Sequence, residues 1–140
     1  MGPNGIFGQT LTMLEKVMDL RSRRHTILSG NIVNQETPHY KAFDIAMNEE
    51  LERIGTLSAD DPDMARTDDH HLADTQAPST ERHYQLTALH PQLAKRDGNT
   101  VDIDRTMADL AENTLMYSAL SRIVSKRLSG LKMAIKGGNG

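Results

Sequence analysis

The residues best suited to chemistry form a short acidic and histidine run near the middle of the 140-residue chain. This run is Asp68, Asp69, His70 and His71, and His83 and His90 follow it. Imidazole and carboxylate groups bind zinc, but adjacent loop histidines point in different directions. The chain also has no cysteine and no two histidines four residues apart. We therefore predict no metal and no cofactor, and we interpret these histidines as solvated loop residues.

A basic cluster in the N-terminal part is the second candidate, because clustered arginines can bind phosphate groups. It consists of Arg21, Arg23, Arg24 and His25. Residues 1–43 carry a net charge of +2, residues 44–97 of −7 and residues 98–140 of +2, so an acidic segment separates two weakly basic ends. A short basic run on a helix is typically solvated or contacts another subunit. We predict no nucleic-acid partner.

Signatures of catalysis are missing from the sequence. It contains no glycine-rich phosphate loop, no Gly-x-Ser-x-Gly turn and no carboxylate pair in an apolar setting. Hydrophobic residues make up 37% of the chain and aromatic residues 4%, so a large independent core is not expected. No apolar run approaches the roughly 18 residues of a membrane span. The N-terminus lacks the apolar region of a cleavable signal peptide. The sequence thus predicts neither an enzyme nor a membrane-spanning protein.

The longest predicted element is an amphipathic helix from Val101 to Ile135, which would be roughly 50 Å long. Its apolar residues recur at steps of three and four, the spacing of a heptad seam. The predicted seam is Met107, Leu110, Tyr117, Val124, Leu128, Leu131 and Ile135, with Thr114 and Ser121 as polar members. A second apolar row beside it is Ala108, Ala111, Leu115, Met116, Leu120 and Ile123. This helix has more apolar surface than one partner helix covers.

A second long helix is predicted from Ile6 to about Val33, with the same spacing of apolar residues. Asn34 is expected to take a left-handed cap, and Pro38 prevents the helix from continuing. The end of this helix therefore leads into a turn.

The middle of the chain gives weaker signals. Asp44 is the predicted N-cap of a short helix that ends at Gly55. Of the residues that follow, His83 to Leu89 alternate well enough for a strand. A turn is predicted at residues 97–99, Asp-Gly-Asn, and either Asp102 or Asp104 should cap the long C-terminal helix.

Together these elements predict a mainly α fold, in which long N- and C-terminal helices pair as a coiled-coil-like hairpin. A small irregular or partly β central insert should separate them. The predicted division is residues 1–43 for the N-terminal helix and its Asn/Thr-Pro motif, 44–97 for the acidic insert, and 98–140 for the C-terminal helix and its tail.

Two stretches, residues 28–44 and 97–104, resemble motifs of the bacterial flagellar basal-body rod protein family, most closely its proximal rod type. That family has Asn-Ile-Ala-Asn-x-x-Thr-Pro-Gly-Tyr-Lys-Ala near its N-terminus and Asp-Gly-Asn-x-Val-Asp before a long helix. A central Thr-x-x-x-His-Leu is matched by Thr67, His71 and Leu72. His39 stands where the family has glycine, and Val33 where it has alanine, so a difference is expected in the local turn.

The resemblance implies a structural subunit of the flagellar basal-body rod, exported by the flagellar type III apparatus and located in the rod that spans the periplasm. Its implied partners are other rod subunits and components of the basal-body ring and export gate. The expected assembly interface consists of Asn31, Asn34, Thr37, Pro38, Tyr40, Leu110, Tyr117, Val124, Leu128 and Leu131. The alternative hypothesis is a cytosolic helical adapter or export chaperone that clamps one partner with the same two helices.

Overall fold

The computed structural model describes residues 6–59, 85–89 and 94–137. In chain order its elements are α1 (Ile6–Val33), β1 (Phe43–Ile45), α2 (Met47–Ala59), β2 (Leu86–Ala88) and α3 (Ile103–Gly137). The mainly α class with two long terminal helices and a small, partly β middle is confirmed. None of the helices described is long and apolar enough to cross a membrane. The zinc candidates at 68–71, His83 and His90 lie outside the described residues, as do Thr67 and Leu72.

The two long helices run antiparallel. Asn99, just before α3, contacts the segment that follows α1, and Asn113 contacts Arg21 further along both helices. The N-cap of α3 is Asp102, whose Oδ1 accepts a hydrogen bond from the Arg105 amide at 3.1 Å. This geometry confirms one of the two predicted caps, and a side-chain acceptor there satisfies an amide that the helix itself leaves unpaired.

The C-terminal end of α1 falls at the predicted residue, but the left-handed cap predicted for Asn34 is wrong. The Asn34 amide donates to the Gly30 carbonyl at 3.1 Å, and its side-chain Nδ2 donates to the same oxygen at 2.8 Å. These bonds continue the right-handed helical pattern for one more residue. The left-handed conformation occurs instead at His39, with a φ of 59°.

Two further predictions about the middle are wrong. Asp44 lies in β1 rather than at a helix N-cap, because its carboxylate binds Arg24. The first turn of α2 instead closes on the Ala46 carbonyl, which accepts from the Glu50 amide at 3.0 Å. Helix α2 then runs through Gly55 to Ala59, since glycine lowers helix stability without ending a helix that packs on another element.

The strand predicted within His83 to Leu89 is present as β2. It pairs antiparallel with β1 in a two-stranded sheet, with Phe43 opposite Ala88 and Ile45 opposite Leu86. The division of the chain at residues 43 and 97 remains a prediction.

The core is small and lies beside the middle of α1. Leu20, Ile45 and Ile54 are buried together, which joins α1, β1 and α2. Partly buried hydrophobic residues pack around them, namely Met13, Val17, Ile27, Met47 and Leu51. Because this core covers the α1 side of the molecule, most of α3 has no second layer over it.

Candidate assembly site

The two stretches that resemble the rod-protein motifs meet at the end of α1 and the start of α3. We call this region the clamp and define it as Asn31, Asn34, Thr37, Tyr40, Asn99 and Thr100. These residues are joined by hydrogen bonds across about sixty residues of sequence. The clamp therefore closes the hairpin at one end.

Asn31 anchors the chain that leaves α1. Its side chain is buried, and its Nδ2 donates to the Phe43 carbonyl at 2.6 Å. Its Oδ1 accepts from the Tyr40 hydroxyl at 3.2 Å and from the Phe43 amide at 3.3 Å. One amide side chain thus replaces a neighbouring strand along the free edge of β1, which would otherwise expose unpaired groups.

The residues between Asn34 and Tyr40 form successive tight turns. The Thr37 amide donates to the Asn34 carbonyl at 3.0 Å, and the Thr37 hydroxyl donates to Asn34 Oδ1 at 3.2 Å. The Tyr40 amide then donates to the Thr37 carbonyl at 3.3 Å. Thr37 and Pro38 are exposed on the outside of this turn, whereas Tyr40 is half-buried.

Asn99 is the centre of the clamp. It is fully buried, and its Nδ2 lies 2.9 Å from the Asn34 carbonyl, 3.2 Å from the Gln35 carbonyl and 2.8 Å from the Thr37 carbonyl. Its Oδ1 accepts from the Val101 amide at 2.7 Å. A single side chain therefore bridges three carbonyls of the segment that follows α1, and also orients the chain entering α3.

Thr100 completes the contact between the two stretches. Its amide donates to the Tyr40 carbonyl at 3.1 Å, and its hydroxyl oxygen accepts from the Ala42 amide at 2.9 Å. The Lys41 ammonium group reaches the Gly98 carbonyl at 2.9 Å. The backbone of residues 40–42 is thus paired with that of residues 98–100.

His39 and Gly98 face each other at the outer side of the clamp, and both have positive φ, 59° and 79°. A Cβ added at Gly98 would lie 2.7 Å from His39 Nδ1, so only glycine fits opposite this ring. His39 stands where the resembling family has glycine, and it adopts a conformation that glycine takes at no steric cost. The difference expected in this turn is therefore a strained conformation of His39, while the turn itself is kept.

An internal ion pair holds β1 on α1. Arg24 Nε lies 2.9 Å from Asp44 Oδ1, and Arg24 NH2 lies 2.7 Å from Asp44 Oδ2, with both side chains largely buried. These hydrogen bonds raise the pKa of Arg24 above its usual value. Arg24 is thus an internal structural residue. Arg23 and His25, from the same basic cluster, are exposed.

A polar layer crosses the contact between α1 and α3. Asn113 is buried, its Nδ2 donates to the Arg21 carbonyl at 2.8 Å, and its Oδ1 lies 3.4 Å from Arg21 NH1. Burial lowers the pKa of Arg21 from its ordinary value. A buried asparagine in an otherwise apolar helix pair fixes the register of the two helices, because a shift would leave its amide unpaired.

The row of α3 that faces α1 differs from the predicted seam. Its members are buried or half-buried and follow steps of three, four or seven: Ile103, Thr106, Leu110, Asn113, Leu120 and Val124. Thr114 and Ser121, the predicted polar members, are exposed, and so is Met107. The prediction failed here because it ranked positions by hydrophobicity, whereas Asn113 is buried through a hydrogen bond.

The predicted interface residues on α3 divide into two groups. Leu110 and Val124 are half-buried against α1. Tyr117, Leu128 and Leu131 are 39%, 48% and 42% exposed, although they continue the same spacing. Tyr117, Val124 and Leu128 also line a cleft of about 720 Å³ whose other wall includes Leu11 and Met18 of α1. The two helices are therefore closed at the clamp and incompletely packed at the other end.

Sequence reasoning missed the roles of Asn99, Asn113 and the Arg24–Asp44 pair. The Asp-Gly-Asn turn drew attention to position 99, but nothing local indicated that its side chain bonds a segment sixty residues earlier. The polar interruptions at Arg24 and Asn113 within apolar rows were a usable signal, because buried polar residues in a helix pair require partners.

The clamp is suited to structural work. Its polar groups bond to each other and to backbone, so no reactive group is held toward a cleft. Among the described residues, no three histidine or acidic side chains are placed to hold a metal ion. What the arrangement offers chemically is a rigid junction and a long helix surface.

Comparison with known proteins gives relatives that match almost the whole chain. A flagellar basal body rod protein FlgB of Cereibacter sphaeroides is 38% identical over 134 residues, covering 94% of this chain and 97% of the relative. The FlgB protein of Salmonella typhimurium is 30% identical, with 92% and 94% covered. That of Bacillus subtilis is 27% identical, with 95% and 98% covered. No protein-family model matches the chain.

Proposed function

The chain belongs to the family of the flagellar basal body rod protein FlgB, and on that premise we propose that it builds the proximal rod by packing α1 and α3 against neighbouring subunits. Its role is structural rather than enzymatic, as the names of its relatives indicate, and its location is the flagellar basal body. The proposed partners are other rod subunits, with ring and export-gate components of the basal body beside them.

The observation that carries this proposal is the uncovered apolar row at the far end of α3. Leu128 and Leu131 are 48% and 42% exposed, and Ile135 is 75% exposed. Arg21 of α1 contacts Asn113 of α3, and the two helices run in opposite directions. Ile6 lies fifteen residues before Arg21, and Leu128 lies fifteen residues after Asn113, so Ile6 and Leu128 are at about the same level of the helix pair. Residues beyond Leu128 thus extend past the described part of α1. Large exposed apolar patches mark interaction surfaces, and a neighbouring helix is the cover that this spacing fits.

The clamp supports the same proposal in a different way. It fixes the angle at which α1 and α3 leave the junction, so every copy presents its helices in one geometry. Asn31, Asn34 and Tyr40 serve this purpose from inside the chain. Thr37 and Pro38 lie on the exposed side of the turn, and we propose that they contact the next subunit.

The test places a charge in the α1-facing row. In Val124→Asp, the carboxylate enters an apolar layer, where desolvation costs several kcal/mol in every assembled copy. Lys126→Asp is the matched control, because Lys126 is exposed and faces away from this row, so its cost is about 1 kcal/mol or less. Each variant is expressed in a flagellated strain lacking this protein, and basal bodies with completed rods are counted.

We expect Val124→Asp to abolish completed rods and Lys126→Asp to retain most of them. Circular dichroism of the two purified variants checks that both remain helical. Equal rod counts for the two variants would refute the buried row. The alternative of a cytosolic adapter or chaperone, which the relatives do not favour, predicts instead a stable oligomer that stays in the cytoplasm and is absent from purified basal bodies.

A further inference from the structure

The charges of α3 are separated along its length. Residues 113–137 include five basic residues and no acidic ones, whereas Asp102, Asp104, Asp109 and Glu112 precede them, with Arg105 as the one basic residue among these. The five are Arg122, Lys126, Arg127, Lys132 and Lys136. A helix with opposite charge at its two ends can attract another copy of itself only in some orientations.

The far end of α3 combines this charge with an apolar strip, which we call the tail strip: Leu128, Leu131 and Ile135. These residues continue the α1-facing row beyond Val124 at steps of four, three and four. At about 100° per residue, Arg127 and Lys132 lie on opposite sides of the strip. In paired helices, charged residues at such flanking positions determine which partner helix is bound.

The first part of α3 carries a second strip, on the side away from α1, which we call the head strip: Met107, Ala108, Ala111 and Leu115. Ala111 and Leu115 are each two residues from Asn113, about 200° around the helix from its contact with Arg21. All four are exposed. The two alanines allow a second helix to approach closely. Asp104 lies one turn before Ala108 at the start of the strip, and Glu112 lies at its side.

Among the described residues, the four charges next to the strips, Asp104, Glu112, Arg127 and Lys132, have no oppositely charged group within 4.0 Å in the chain. Glu112 still interacts at longer range with Arg21 and Arg24 of α1. Pairing two tail strips would bring cations of like charge together, and pairing two head strips would do so with carboxylates. Charge thus disfavours both symmetric arrangements and leaves tail against head.

We infer that the tail strip of one copy of this chain packs on the head strip of the next copy, with Arg127 and Lys132 against Asp104 and Glu112. The inference rests on the proposed function and deepens it, because it identifies the occupant of the uncovered row and the polarity of the contact. A contact between two different surfaces repeats from copy to copy, so it closes into a ring or extends as a helix. Either outcome suits a subunit of a tubular axis.

The experiment exchanges the charges in the full-length chain. One variant carries Arg127→Glu and Lys132→Glu, and the other carries Asp104→Lys and Glu112→Lys. Sedimentation velocity at low salt measures self-association of each variant alone, of their equimolar mixture, and of the wild type. We expect each variant alone to associate about tenfold or more weakly than the wild type, because attraction becomes repulsion at both pairs. The mixture should recover wild-type association, since it restores opposite charges at every contact.

The matched control is Arg122→Glu with Lys126→Glu, which makes the same change in net charge on the opposite face of the same helix. Its association should remain within about threefold of the wild type, and higher salt should weaken the wild-type contact by screening. A control that loses as much as the tail variant, a mixture that does not recover, or a wild type that stays monomeric up to millimolar concentration would each overturn the inference.

Two other occupants of the tail strip have distinct signatures. Co-sedimentation with vesicles of anionic lipid, lost in the tail variant while the wild type shows no self-association, would assign the strip to a membrane surface and overturn the inference. Symmetric pairing of tail strips would appear as a dimer whose association the head variant leaves unchanged, and it would overturn the inference. Detection of the wild-type chain in purified basal bodies tests the proposed function separately. If the chain is present there but the charge exchange fails, only this inference is refuted.

Discussion

The two ends of the α1–α3 hairpin differ in the interactions that hold the helices together. At the clamp end, buried side chains such as Leu28, Asn31 and Asn99 leave little surface unpaired. At the other end, α3 exposes most of its large apolar residues, and the cleft between the helices stays open. The clamp itself is closed by contacts within one chain, whereas the far end of α3 lacks the second layer that its spacing requires.

This contrast shows how one sequence can serve both folding and assembly. Hydrogen bonds to backbone need specific partners at fixed distances, so they define a single shape at the clamp. Apolar strips are less selective, and they gain stability only when another surface covers them. The stability of the isolated chain should therefore depend on the clamp, and assembly should depend on the exposed apolar strips of α3.

The largest effect on the isolated chain is expected from Asn99→Ala. It removes a donor shared by the Asn34, Gln35 and Thr37 carbonyls, which keep their other partners, and it removes the acceptor for the buried Val101 amide. Because an unsatisfied buried amide costs about 1–3 kcal/mol and each lost hydrogen bond about 1 kcal/mol, we expect the free energy of unfolding to fall by about 3 kcal/mol. Urea denaturation followed by circular dichroism measures the change. Asn48→Ala, at an exposed position in α2, is the control and should cost less than about 0.5 kcal/mol.

A smaller effect is expected at His39, on the outer side of the clamp. His39→Val places a β-branched residue in the left-handed region, and we expect it to lower the free energy of unfolding by about 2 kcal/mol. His39→Gly removes the steric cost and should raise the free energy of unfolding by about 0.5–1 kcal/mol. The entropy that glycine adds to the unfolded chain reduces this gain. Thermal melting of the pair gives the sign of both changes. Equal melting temperatures would mean that the left-handed conformation carries no strain.

The smallest effect on the isolated chain is expected in the tail strip. Leu131→Ala combined with Ile135→Ala should change the free energy of unfolding by less than about 0.5 kcal/mol, because both side chains are already exposed. The same double variant should reduce the number of completed rods when it replaces the wild type in cells. A loss of several kcal/mol in dilute solution would show that this end is packed without neighbours, which would remove the contrast between the two ends.

The sequence was most informative where structure depends on local geometry. The bounds of α1 and α3, the Asp102 cap and the Asp-Gly-Asn turn follow from periodicity, capping chemistry and the conformational freedom of glycine. Each of these depends on residues within a few positions of each other. The prediction of Asn34 as a left-handed cap failed for a local reason too, since its side chain found a helical carbonyl at Gly30.

Only the tertiary structure decided which polar residues are buried and with what partners. The sequence around Asp44 favours a helix cap, but its carboxylate binds Arg24, and Asn113 is buried because its amide group donates to the Arg21 carbonyl. The free energy of a buried polar group depends on a partner that lies far away in sequence, and no local pattern specifies that distance. The heptad spacing by itself determined that α3 carries apolar rows, and the position of α1 decided which of them remain open to a neighbour.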